Sequence, residues 1–276
     1  MKIQRNAKRC LPEEEAYFPV PGAHLYTVVH QVTEPLARVL LIGPLASERH
    51  FAYHPWVRWA RYLAERGIEV VRFDYRGIGE STGLFEEMSF ENWSNDVELL
   101  GAWIASRSPR VPILLHGLEV GAILAAKSFD QGMGDGLLLW SPPDNANRAL
   151  RSSLLQWAGL EQLYESPQNR RPASEFIRRL EEGACIEVQG YSWSGRLWRD
   201  SFQCVLPGNL KEGASFDEAG KRPVKVSILT RSAAPLVKPH LMYDELKDLN
   251  WLYSDNFKWI NEALQLDERG RDGKGN

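Results

Sequence analysis

Cysteine is scarce in this chain. Three residues in 276 (Cys10, Cys185, Cys204) are odd in number, far apart and without a CxxC pair. That excludes a disulfide framework and a cysteine-based structural zinc site, and suits a reducing compartment. A surplus of one charge is also missing: 33 Lys and Arg face 36 Asp and Glu, a net charge of −3. Such a balance gives no global attraction to nucleic acid or to an anionic membrane. No apolar run reaches the length that crosses a bilayer. Residues Met1 to Cys10 are polar and basic but precede no apolar stretch, so a secretory leader is not expected and the cytoplasm is the expected location. There is no internal repeat and no low-complexity segment, and no cofactor motif stands out.

What is present is enough apolar material, 43% of residues, for one full core. Val20-Pro21-Gly22 marks a turn, and Ala23 to Val32 reads as a strand. Arg38 to Ile42 reads as a continuous apolar strand, the pattern of a strand covered on both faces, and Ile68 to Phe73 is the next apolar strand. Between them, helical spacing runs from Pro55 to Arg66 and ends at Gly67. Ser89 caps a helix expected over Phe90 to Ser106. Gly136 to Trp140 is a further short strand. This alternation predicts right-handed βαβ crossovers and a mostly parallel sheet with helices on both faces.

The regular pattern stops at Asp144. Helical pieces (Ala146 to Leu155, Ser174 to Glu182) and three tryptophans follow, up to about Arg222. The core pattern resumes with a strand from Val224 to Thr230, a helix from Pro239 to Lys247, a last strand from Leu249 to Tyr253 and a closing helix from Asn256 to Leu266. The expected organisation is therefore a core of residues 1–143 and 223–266, an insertion of residues 144–222, and a flexible tail, 267–276.

The stretch from Pro112 to Ala126 organises the rest. A short apolar run, Ile113 to Leu115, meets Gly117-Leu118-Glu119-Val120-Gly121 and continues into small, helix-favouring residues. Two glycines four apart let a strand turn sharply into a helix that packs close to it. The box resembles the nucleophile elbow of the α/β-hydrolase superfamily, Gly-x-Ser-x-Gly, with Glu119 where the serine stands. A second stretch, Asp74-Tyr75-Arg76-Gly77-Ile78-Gly79-Glu80-Ser81-Thr82-Gly83, resembles the Gly-rich turn after the fourth strand in lipase- and peptidase-like members. In that family the turn is architectural and Ser81 is not the nucleophile. The resemblance implies an α/β-hydrolase fold: a mostly parallel eight-stranded sheet, with residues 144–222 as a helical cap after the sixth strand. A narrower likeness rests on Gly117 to Ala122 together with Val188-Gln189-Gly190-Tyr191-Ser192-Trp193-Ser194. These segments resemble hydrolase-like proteins associated with bacterial exosortase systems, which also lack the elbow serine; this implies a setting in exopolysaccharide production and protein sorting.

Acyl transfer on this fold requires a nucleophile, an acid and a histidine, in that chain order. Against the family pattern the nucleophile position is Glu119, the acid falls on Ala234 and the base on Asn256. The six histidines are His24, His30, His50, His54, His116 and His240, and none follows the expected last strand. A nucleophilic glutamate would carry its oxygen about one bond length too far, and ~1 Å of misplacement costs on the order of a hundredfold. The bland reading has Glu119 filling an ancestral site, its carboxylate on the oxyanion amides that map to Leu45 and Val120 and favoured by the helix N-terminus.

Other residues carry weaker signals. His116 reads as a hydrogen-bonded core histidine and His240 as a surface or helix-start residue. His50 and His54 could reach the rim, but with no acidic cluster they make no metal site. Trp193 and Trp198 could line a cleft for an apolar or sugar ligand, against the commoner use of packing the cap. Two functions follow. One is a non-catalytic binding or accessory protein for a small molecule or a protein, with the ligand between Leu45, Glu119 and the cap. The other is a hydrolase of esters, thioesters or amides using Glu119 as a general base on water.

Overall fold

The structure, a computed structural model, describes residues 12–208, 210, 214–215, 221–229 and 249–266. Its frame is a seven-stranded sheet of β1 (Glu13–Val20), β2 (Ala23–His30), β3 (Ala37–Ile42), β4 (Ile68–Phe73), β5 (Ile113–Leu118), β6 (Gly136–Trp140) and β9 (Val224–Ser227), ordered β1-β2-β4-β3-β5-β6-β9. β2 runs antiparallel to both β1 and β4, and every other pairing is parallel. The central strands β3, β5 and β6 are buried at every position, which is why they read as unbroken apolar runs.

Side chains alternate between the faces, and each face has its own core. Toward one lie Leu40, Ile42, Leu115, Leu137 and Leu139, packed with α2 (Phe90–Arg107) and α3 (Val120–Asp130). Toward the other lie Val39, Leu41, Leu114, Leu138 and Trp140, packed with α1 (Glu48–Ala64) and α7 (Asn250–Ala263). Ser89 closes a capping box with Asn92 at the start of α2.

Between β6 and β9 the chain leaves the sheet. It forms α4 (Ala146–Tyr164), α5 (Ala173–Glu181), a hairpin of β7 (Ile186–Val188) and β8 (Tyr191–Trp193), and α6 (Gly195–Asp200). Both hairpin-turn residues, Gln189 and Gly190, have positive φ (51° and 81°), the form that matches the twist of the flanking strands. This segment packs on the α2–α3 face through Leu150, Leu154, Phe176, Leu180 and Leu197.

One strand is added and two expectations are corrected. The strand Glu13–Val20 is an addition at the sheet edge. α1 starts at Glu48, seven residues before Pro55, which it carries inside the helix. The run Leu249 to Tyr253 is not a strand: Leu249 caps α7 and the following residues are helical, so the sheet has seven strands among the described residues, not eight. The helix expected over Pro239 to Lys247 lies outside the described residues.

Candidate functional site

The bend between β5 and α3 has the strained geometry of an elbow. Glu119 sits at φ 55°, ψ −126°, a backbone conformation that side-chain-bearing residues rarely adopt. It is held by its neighbours, since its N–H donates to the Trp140 carbonyl at 3.0 Å and its carbonyl accepts from Ala122 N–H at 2.9 Å. The two flanking glycines are required by contact. A Cβ on Gly117 would lie 2.3 Å from Ala122 Cα, and one on Gly121 would lie 2.2 Å from the Gly43 carbonyl oxygen. The latter approach sets the start of α3 against the loop after β3, so the segments carrying Val120 and Leu45 are neighbours and both side chains are buried. Glu119 itself is half-buried, and its side chain makes no capping hydrogen bond with α3.

The Gly-rich turn after β4 is pinned to β2. Ser81 Oγ donates to the Asp74 carbonyl at 2.6 Å and accepts from Tyr26 N–H at 2.8 Å, while Thr82 Oγ1 accepts from His24 N–H at 2.8 Å. The hydroxyl of Ser81 is thus committed to backbone partners. Asp74 takes a two-point ion pair from Arg49 (2.9 and 2.7 Å) and also accepts from Glu80 N–H at 3.0 Å.

The remaining expected site residues are dispersed. Ala234 lies outside the described residues, as does His240. Asn256 is fully buried within α7 and donates from Nδ2 to the Leu252 carbonyl at 2.7 Å, so it does not stand in a loop that follows a strand. With the last helix starting at Asn250 after its cap Leu249, residues 230–248 before it fall outside the described residues. Trp193 and Trp198 are each 1% exposed and belong to the core on the α2–α3 face. His50 and His54 are exposed on α1, and no group of three or more potential metal ligands exists among the described residues.

His116 points to the opposite face of β5 from Leu115. It is fully buried among Trp56, Trp59 and Trp140, with ring-centre distances of 4.9, 6.1 and 4.5 Å. Its Nδ1 accepts the Trp59 indole N–H at 3.0 Å, which leaves the proton on Nε2. Burial holds its pKa well below the ordinary histidine value.

The model of the family described as serine aminopeptidase, S33 matches residues 48–166, less than half of the chain. That span contains α1, the Gly-rich turn and the elbow, and ends before Ala234 and Asn256. No curated protein matches the chain. Among solved structures, the α/β hydrolase GrgF from Penicillium sp. sh18 is 17% identical, covering 92% of this chain and 100% of that one at a TM-score of 0.57. A soluble variant of the monoglyceride lipase of Saccharomyces cerevisiae, solved with a substrate analogue, is 15% identical over 91% of this chain and 96% of its own, at 0.55. A lidless α/β serine hydrolase of Xanthomonas campestris is 23% identical over 48% of this chain, which spans only 62% of that protein, at 0.42. Strand order, the sharp β5–α3 bend and full-length likeness to two solved hydrolases agree: the chain has the α/β-hydrolase fold.

Proposed function

We propose that this protein keeps the hydrolase frame for binding and not for acyl transfer. The observation that carries the reading is Glu119: a carboxylate occupies the elbow, at φ 55°, where the fold's chemistry places a hydroxyl. An ionised carboxylate at a helix N-terminus is electrostatically favoured. It is a poor acyl-transfer nucleophile, because its longer arm misplaces the attacking oxygen. The ligand, a small molecule or a segment of a partner protein, sits between Leu45, Glu119 and residues 144–222 acting as a cap on a core of residues 1–143 and 223–266. The protein's proposed setting, supported by the narrower sequence likeness alone, is the bacterial cytoplasm, as an accessory to exosortase-linked exopolysaccharide production and protein sorting. The test is hydrolysis of p-nitrophenyl acetate and butyrate, with fluorophosphonate labelling alongside. Turnover at the buffer rate and an unlabelled chain are expected. Turnover above background that disappears in Glu119→Gln overturns the reading.

The second reading, Glu119 as a general base on water, draws on the same backbone. A non-glycine residue at this φ stores on the order of 1–3 kcal/mol, and such strain collects at working sites. It requires an ester, thioester or amide whose hydrolysis follows the ionisation of one carboxylate. A flat pH response across such a panel removes it.

A further inference from the structure

A groove of about 790 Å³, lined by no residue of the elbow, lies between the β1–β2 hairpin and the first turns of α1. On this face of the hairpin Tyr17 pairs directly across from Tyr26, with ring centres 5.8 Å apart. Tyr53 of α1 is part of the lining, and Glu15 and Glu80 add carboxylates to it. Tyr17 and Tyr53 are 56% and 47% exposed, so two of the three rings present free surface to the groove.

The lining selects among ligand classes. Arg49 is fixed by its two-point pair with Asp74, and that neutralisation leaves Glu15 and Glu80 to repel an anion. A cation meets the opposite difficulty, since the Arg49 and Arg72 guanidiniums already stand 5.5 and 5.8 Å from the centre of the Tyr53 ring. An apolar chain would strip water from the carboxylates without replacing its hydrogen bonds. A neutral ligand with flat apolar faces and a rim of hydroxyls satisfies every group. Tyrosine faces stack against its C–H surfaces, Glu15 and Glu80 accept from its hydroxyls, and Arg49 and the exposed His50 donate. The volume lies within the usual range for small-molecule sites, and the Arg49–Asp74–Glu80 wall is set before a ligand arrives.

We propose that this groove is a saccharide-binding site, separate from the elbow. It stands whether Glu119 binds or catalyses. The experiment is isothermal titration of the full chain with maltotetraose, cellotetraose and chitotetraose. One of the three should saturate with a Kd of ~1 mM or tighter. Tyr17→Ala and Tyr53→Ala should each weaken it about tenfold while the thermal midpoint holds, because each removes one stacking face. Tyr164→Ala, on α4 and outside the groove, should leave it unchanged. If Tyr17→Ala does not fold, Glu15→Gln takes its place, with weaker binding expected. Three flat titrations overturn the proposal, as does binding that persists undiminished in the folded groove variants.

Discussion

Gly121 stands so close to the end of β3 that a methyl group on it would lie 2.2 Å from the Gly43 carbonyl oxygen and 2.3 Å from that of Ile42. Both obstacles are backbone and cannot rotate away. Gly121→Ala must therefore push α3 off the sheet and disturb the Leu45–Val120 neighbourhood. The expected loss is about 2–4 kcal/mol, read as a lower urea midpoint. Gly159, inside α4 with open space around it, is the contrast: Gly159→Ala should raise stability by about 0.5–1 kcal/mol through helix propensity alone.

Glu119 behaves in the opposite sense from an ordinary helix-start residue. Its φ of 55° is tolerable for glycine and costly for any residue with a Cβ. Glu119→Gly should be more stable than Glu119→Ala by about 1 kcal/mol in chemical unfolding. Equal stabilities would mean that the bend is not strained at this residue.

These two glycine-governed positions explain what the sequence makes legible. The box from Gly117 to Gly121 announces a sharp strand-to-helix bend, because small residues at that spacing have few other uses. The buried strands β3, β5 and β6 stand out for their apolar runs. β1 is hidden by Glu13, Glu14 and Glu15: an edge strand exposed along most of its length needs no apolar signature and uses charge to keep its edge free. Pro55 reads as a helix start, yet α1 carries it in its interior. The run Leu-Asn-Trp-Leu-Tyr at 249–253 is short enough to suit a strand or one turn and a half of helix, and packing decides for helix: Leu252 and Tyr253 both bury against the α1 face, with Tyr253 Oη donating to the Pro55 carbonyl at 2.8 Å. That choice puts Asn256 inside α7 instead of in a loop after a strand. The groove beside α1 was not legible, because Tyr17, Tyr26 and Tyr53 meet only through strand pairing and helix docking.

Trp59 and His116 are coupled. Trp59→Phe keeps an aromatic ring, though a smaller one, and deletes the one hydrogen bond to Nδ1 of a fully buried imidazole. An acceptor stranded away from water costs about 1–3 kcal/mol, and removing both polar groups costs less than removing one. Trp59→Phe should therefore lower the unfolding midpoint more in the native background than in His116→Leu. A double-mutant cycle measures the difference, and additive losses would contradict the coupling.

Acid should unfold this protein earlier than its carboxylates alone require. His30 is 1% exposed on β2; Arg72 Nε donates to its Nε2 at 3.2 Å and Glu13 lies 3.5 Å from its Nδ1. Burial, reinforced by the charges of Arg72 and Arg61 and opposed by Glu13, lowers its pKa from 6.5 to about 4. The folded chain thus keeps this ring neutral where the unfolded chain protonates it. Between about pH 4 and 6.5 the unfolded state binds more protons, so stability rises with pH through that window and is lost as pH falls through it. The full contribution, present above about pH 6.5, is about 3 kcal/mol. His116, depressed by burial, acts in the same direction, and Glu13, held low by its hydrogen bond to Arg61, adds a further loss at more acid pH. His30→Gln can still accept from Arg72 and donate to Glu13 but does not titrate. Urea unfolding from pH 4 to pH 8 should show a shallower slope for His30→Gln than for the native chain below pH 6.5, with parallel curves above it. Identical slopes across the window would remove His30 from the acid response.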